Sequence, residues 1–296
     1  MNPIILNNIE ENNVLKFTIQ NINVSLINAL RRIILGDIPC VILKTFPYAE
    51  NNVDIEVNTT RMNNELIKQR LSCIPIHIND TEFPIQNYII ELDKTNLSDY
   101  IQYATTKDIK IKDIVYNTYL SEEETRKIFP PNHLSNDFID IVRLRPKMRN
   151  DHDGEQLKFT AKLDIGSAND NGSYNVACTS CYSNTPDETL IQREYEKYVN
   201  SLEDNIQDET RELKKKDWLI LNSQKYYIKD SFNFILETVG QFSNNDIMLK
   251  ACGIMLEKIN KFRTDLQNDV SLISKSNVTI DNCYDIKILN CVTNTI

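Results

Sequence analysis

The sequence predicts an α+β fold of two domains, one built from both ends of the chain and the other inserted near residue 46. Three observations lead there. A strand followed by an amphipathic helix occupies residues 14–35. A strand followed by a long helix recurs at residues 232–266. Between them lie short strand-like pieces, so the terminal parts share one character and the middle is mainly β.

The elements follow in order. The first expected is a strand over residues 14–19, where Leu15, Phe17 and Ile19 alternate with Lys16, Thr18 and Gln20, the period of a half-buried strand. Residues 21–23 break it. Over 24–35, Ile27, Leu30 and Ile34 recur at helical spacing, and Gly36 and Pro39 stop the helix. Val53, Ile55 and Val57 alternate as a strand, residues 64–71 read as a helix, and Ile74-Pro75-Ile76-His77-Ile78 follows. Further strands are expected at 88–92, 109–115, 138–144 and 157–165. Residues 187–217 are charge-rich with little apolar periodicity, which reads as a solvated helix or an insertion. Residues 218–221 and 226–228 are strand-like, and alternation returns at 232–237.

The last element is a helix over 246–266. Met248, Cys252, Met255, Ile259, Phe262 and Leu266 are spaced 4, 3, 4, 3, 4. A period so close to 3.5 is the seam of a helix lying lengthwise on another helix. A dimer seam is the sharper reading and a helix of the chain's own core the plainer one.

Composition narrows the function classes. At 296 residues, 41% hydrophobic and 25% charged, the chain has the balance of a globular protein with a substantial core. No apolar run is long enough for a membrane helix, and the first residues lack the basic and apolar parts of a secretory signal. A net charge of −9 argues against a protein whose main task is gripping a phosphate backbone. The seven cysteines read as reduced thiols of a cytosolic or nuclear protein. Only Cys178 and Cys181 have ligand-like spacing, and without a second pair they read as small buried thiols at the end of a strand. Neither a metal nor another cofactor is expected.

Several segments then carry a resemblance. Asn28-Ala29-Leu30-Arg31-Arg32-Ile33, followed by Ile38-Pro39, resembles the first-helix signature of the RNA polymerase alpha family, which includes bacterial alpha, archaeal D and the third-largest eukaryotic subunit. Asn58-Thr59-Thr60, then Asn64-Glu65-Leu66-Ile67-Lys68-Gln69-Arg70-Leu71 with Ile74-Pro75-Ile76, is similar to the family's next two motifs at the right distance. Thr106-Lys107-Asp108-Ile109, the run from Gly154 to Ala161 with Ile165-Gly166, and the segment from Phe232 to Gly240 agree in the same order. Collinearity is what gives these motifs weight.

The resemblance implies an RNA polymerase alpha-subunit-like fold. Residues 1–45 and 176–270 would form a dimerisation domain, a small sheet backed by two helices. Residues 46–175 would be the inserted domain, 187–217 a charged insertion, and 271–296 a tail or the start of a fused partner domain. It also implies a role as a non-catalytic assembly platform of a DNA-directed RNA polymerase. The chain would pair with a small L-type subunit and dock the two large catalytic subunits, meeting DNA through the complex. Ile27 and Leu30 would then join the residues of the last helix in the dimerisation seam. Arg32 is the best large-subunit contact, with Arg31, Asn28, Glu65 and Arg70 beside it; a solvated face is the plainer reading for the arginines.

The departures matter too. Some family members hold zinc or an iron–sulfur cluster in the inserted domain, whereas here that stretch has only Cys73. Abundant asparagine and the cysteine-poor insert lean toward a large DNA virus over a cell. The expected location is the nucleus or, for a virus, the cytoplasmic virus factory and virion. Two strand-like pieces, 277–280 and 285–289, fall outside the family pattern.

Rival readings have less behind them. An enzyme would have to be built from Asp151-His152-Asp153-Gly154, His77 and His133, and no nucleotide-binding, zinc-protease or hydrolase motif occurs. A nucleic-acid contact has one local argument. An extended chain over 142–149 would put Arg143, Arg145, Lys147 and Arg149 on one face as a basic comb. Its alternative is an edge strand protected by charge.

Overall fold

The structure, a computed structural model, describes residues 2–79, 83–147, 154–202, 208–276 and 282–287. It opens on a hairpin of β1 (Ile4–Glu11) and β2 (Val14–Gln20). The turn is made by Asn12 and Asn13, both at positive φ, where asparagine is tolerated better than most residues. The expectation began at residue 14 and missed β1. Its residues are all exposed, and its register breaks between Leu6 and Ile9 at the positive-φ Asn7, so no half-buried alternation survives.

Helix α1 (Val24–Gly36) starts where the Asn23 side chain accepts the Ser25 N–H at 2.8 Å. Ile27, Leu30, Ile33 and Ile34 are its buried face. At its end the Asn169 N–H donates to the Gly36 carbonyl at 3.0 Å. A Cβ at Gly36 would stand 2.5 Å from the Asn169 side-chain oxygen, which would have to swing aside to admit it.

Strand β3 (Cys40–Ile42) is a shared wall. Cys40 and Ile42 belong to the core beneath α1, while Val41 and the following Leu43 belong to a second core. The alternation of a strand makes this possible. Burial pushes the Cys40 thiol up to about 11.

The second core contains β4 (Val53–Asn58), α2 (Asn64–Ser72), β5 (Tyr88–Thr95), β6 (Gln102–Thr105), β7 (Lys110–Asp113), β8 (Thr118–Tyr119), α3 (Glu122–Ile128), β9 (Asp140–Leu144), β10 (Gln156–Lys162) and β11 (Asp164–Gly166). One sheet runs β4-β10-β5-β7-β8, and the pairs β6-β9 and β11-β3 complete the unit. The single strand expected over 157–165 is thus two. Leu163 separates β10, paired with β4 and β5, from β11, paired with β3.

The chain then returns to the first core through β12 (Ala177–Pro186), α4 (Glu188–Asn200), α5 (Asp208–Asp217), β13 (Tyr227–Thr238) and α6 (Asn244–Asn268). The sheet order is β1-β2-β13-β12, antiparallel throughout. Phe17 and Phe234, directly paired, stack at 5.3 Å at its centre. Residues 218–221, expected as a strand, form a π-helical turn with Trp218 inside; three consecutive aliphatics carry no period that separates the two. Beyond α6, β14 (Ile273–Lys275) pairs with β15 (Tyr284–Ile286). The strand expected at 277–280 lies outside the described residues, as do positions 288 and 289 of the other.

A polar node ties the second core together. Asn96 is fully buried and donates to the carbonyls of Tyr100 and Leu144 at 2.9 and 3.0 Å. Beside it the Glu155 carboxylate accepts from the Arg145 N–H at 2.9 Å and the Arg145 Nε at 2.7 Å. Burial raises the Glu155 pKa, but the hydrogen bonds from Arg145 and the charges of Arg145 and Arg61 outweigh it and hold it below the usual value. A lowered folded-state value means that this contribution is complete above the unfolded pKa of about 4.3 and is lost as pH falls through the folded value. Melting temperature against pH should therefore fall more steeply below that point in the native protein than in Glu155→Gln. Parallel curves would show that the pair adds no pH dependence.

Candidate assembly interface

Helix α6 carries a row of large apolar side chains on its outward side. Its N-terminus is fixed twice. The Ser243 Oγ accepts the Asp246 N–H at 3.1 Å, and the buried Asn244 donates to the Glu10 carboxylate and the Asn13 carbonyl at 2.8 and 2.9 Å. The turn before it needs glycine, because Gly240 has a φ of 119°.

From there one stripe faces inward. Asn244, Ile247 and Ala251 are buried, with Met248, Ile254 and Met255 packed partly against the same core. A second stripe has no cover among the described residues: Leu249 is 71% exposed and Leu256 61% exposed, with Cys252, Ile259 and Phe262 also open. An isolated domain does not ordinarily leave so many large aliphatics along one helix face.

The expected seam is therefore divided. Ile27 is 0% exposed; it and Leu30 pack in the chain's own core. Met248 and Met255 lean the same way and Leu266 is half-buried, whereas Cys252, Ile259 and Phe262 point outward. The physical reason is that α6 is apolar on two sides, and a single 3.5-residue line drawn through it takes members from both. Leu249 and Leu256, one position further along than Met248 and Met255, were missed. Their heptad spacing with each other is the signal that could have found them.

The polar candidates fall into two groups. On α1, the half-buried Arg31 donates from Nε to Asn28 Oδ1 at 3.1 Å, while Arg32 is exposed. No partner for Arg32 stands among the described residues. On α2, capped by Asn63 accepting the Leu66 N–H, Glu65 is exposed and Arg70 donates to the Asp140 carbonyl at 2.7 Å. Nothing joins the two groups directly among the described residues. The Asn58-Thr59-Thr60 motif has a local task, since Asn58 binds Thr60, Asn64 and the Met62 carbonyl and so links β4 to α2.

The basic comb is largely spent. Arg145 is paired with Glu155 at 2.6 Å and Lys147 with Asp99 at 3.7 Å; Arg143 is exposed, and Arg149 lies outside the described residues. Among the histidines, His77 is half-buried with its pKa lowered by burial, His133 is exposed, and residues 151–153 are outside the described set. Cys178 and Cys181, expected buried, are exposed on β12, the edge of its sheet. Among the described residues no group of three or more His, Cys, Asp or Glu side chains is placed to hold a metal. None of the described helices is long and apolar enough to cross a membrane.

The family model described as the RNA polymerase Rpb3/Rpb11 dimerisation domain matches residues 16–259. The chain is 23% identical to DNA-directed RNA polymerase subunit Rpo3 of Pyrococcus furiosus, over 86% of this chain and 93% of that protein. It is 23% identical to DNA-directed RNA polymerase II subunit RPB3 of Schizosaccharomyces pombe, over 90% of this chain and 88% of that one. It is likewise 23% identical to subunit 3B of DNA-directed RNA polymerases IV and V of Arabidopsis thaliana, covering 84% and 86%.

Proposed function

Since the chain belongs to the RNA polymerase Rpb3/Rpb11 dimerisation family, we propose that it is the non-catalytic assembly platform of a multi-subunit DNA-directed RNA polymerase. The observation that carries the reading is the uncovered apolar face of α6. A small L-type subunit covers that face, and the resulting heterodimer docks the two large catalytic subunits. Nucleotide addition takes place on those subunits, and DNA is reached through the complex. The named relatives are cellular, so the nucleus is the proposed setting if the source is eukaryotic.

Two units divide the work. Residues 1–45 and 176–270 form the unit that pairs with the small subunit, residues 46–175 are the inserted unit, and both lend residues to the large-subunit contact. Residues 187–217 are an insertion. Asn28, Arg31, Arg32, Glu65 and Arg70 are the proposed large-subunit contacts. Arg32 is the best of them, because its guanidinium is exposed and offers a planar fork to a carboxylate or carbonyl.

Co-expression with the small subunit and then with the large subunits tests this, with products weighed by native mass spectrometry. A one-to-one heterodimer that captures the large subunits is the expected result. Arg32→Ala should leave the heterodimer intact and lower large-subunit capture by about tenfold, on the order of one well-placed interface arginine. A chain that stays monomeric beside the small subunit would sink the platform reading. Unchanged capture by Arg32→Ala would remove that residue from the interface.

A further inference from the structure

A second surface, outside α1, α2 and α6, is organised to receive something else. Between β12 and β13 the chain makes α4 and α5 and then the turn Trp218–Asn222. Trp218, the protein's single tryptophan, is buried against Tyr195, Tyr198 and Tyr226, with ring centroids 5.5, 5.8 and 6.2 Å away. These rings make a small core for the module. A π-helical turn is wider than an α-helical one. With Trp218 inside, the next three side chains face away, and Ile220 and Leu221 are 62% and 66% exposed with Leu219 beside them.

The stretch of chain that carries this knob is locally rich in lysine. Residues 211–229 hold six Lys and Arg against Glu212 and Asp217, a local balance of +4 in a chain of net −9. One ion pair, Lys215 to Glu212 at 2.7 Å, is made inside it. Lys214, Lys216 and Lys225 are exposed and have no carboxylate partner among the described residues. An apolar knob flanked in the chain by exposed lysines that lack carboxylate partners among the described residues is half of a complementary interface.

We propose that this tip docks an acidic amphipathic segment of another protein. The segment's aliphatic or aromatic side chains cover Leu219, Ile220 and Leu221, and its carboxylates face Lys214, Lys216 and Lys225. The chemistry favours protein over nucleic acid, since the module's stacked rings are turned onto Trp218 and the exposed residues of the knob are aliphatic; bases are held by exposed aromatic faces. It also favours protein over a bilayer, whose interfacial anchors are tryptophan and tyrosine rings, because the tryptophan here points inward.

The test titrates the full chain with a labelled synthetic peptide in which Asp and Glu line one face of a helix and Leu and Phe the other. Anisotropy and Trp218 emission are the readouts. Saturable binding that weakens as salt is added is expected. Ile220→Asp with Leu221→Asp should lose at least about tenfold in affinity, as for a truncated hot spot. Lys214→Ala with Lys216→Ala should lose several-fold and flatten the salt dependence. Circular dichroism confirms that these surface variants keep their fold, and a peptide with Lys in place of Asp and Glu should not bind. The Leu256→Asp/Ile259→Asp chain should bind the peptide like the native one, which separates this surface from the platform reading. Absent saturation, equal binding by the Ile220/Leu221 variant, or capture by phosphatidylserine vesicles or single-stranded DNA in place of the peptide would each overturn the proposal.

Discussion

Leu256→Asp together with Ile259→Asp is expected to abolish recovery of the heterodimer with the small L-type subunit while leaving the chain's own melting temperature nearly unchanged. Both side chains are exposed on α6, so their replacement removes little that holds the monomer together, and surface changes of this kind usually stay within about 0.5 kcal/mol. In the complex each would be covered, which is worth roughly 1.5–3 kcal/mol for a fully buried Leu or Ile. A carboxylate at either place must instead be stripped of water or keep the interface open. A loss of at least about a hundredfold in affinity follows, close to 3 kcal/mol. Native mass spectrometry reads the complex and differential scanning fluorimetry the monomer. A complex of undiminished yield would show that α6 is not the seam.

The second large effect is on stability. Gly154→Ala should destabilise the protein by about 3 kcal/mol, at the upper end of overpacking penalties. An added Cβ would lie 2.3 Å from the Asn96 carbonyl oxygen, 2.7 Å from that of Arg145 and 3.0 Å from the Lys147 nitrogen. These are backbone atoms, and two of them accept hydrogen bonds at this crossing: Gly154 donates to Asn96 at 3.0 Å and Glu155 to Arg145 at 3.1 Å. Relief of the clash would break the node that joins β5, β9 and β10. Gly253, on α6, has nothing within 4 Å of its would-be Cβ, so Gly253→Ala should stabilise the isolated chain by roughly 0.5–1 kcal/mol. Urea midpoints measure both. A Gly154→Ala midpoint equal to the native one would mean that the crossing can open at no cost.

The sequence showed most clearly those elements whose two faces meet different surroundings. Strand β2, with Leu15, Phe17 and Ile19 inward, and helix α1, with Ile27, Leu30 and Ile34 inward, announce themselves by period alone. β1 gave no such sign because neither of its faces is buried. Trp218 joined an apolar run whose partners, Tyr195, Tyr198 and Tyr226, are tertiary and come from both sides of it in the chain. In the interface the failure has the opposite cause. Helix α6 has two apolar faces, one for its own sheet and one uncovered, and periodicity records that a residue is apolar without saying what it faces. Arg145 was placed in a comb that could touch phosphates because Glu155, its partner, stands ten residues on, just before β10. The collinear motifs gave the family while leaving the direction of each side chain open.

One feature of the platform sheet bears on the order of events at the ribosome. Its central pair joins β2 to β13, with Phe232 opposite Ile19 and Leu236 opposite Leu15, so more than half the chain is synthesised between the two neighbours. The strands of the second core all emerge before β13 does and can pair while translation continues. Until β13 arrives, the inner edge of β2 has no partner and α1 has no complete sheet to lie on, so the nascent chain carries an open strand edge for most of its synthesis. Helix α6, with its exposed Leu249 and Leu256, follows β13 in the chain and is made later still. On the proposed reading, assembly through that face is thereby reserved for chains in which both cores have already been translated.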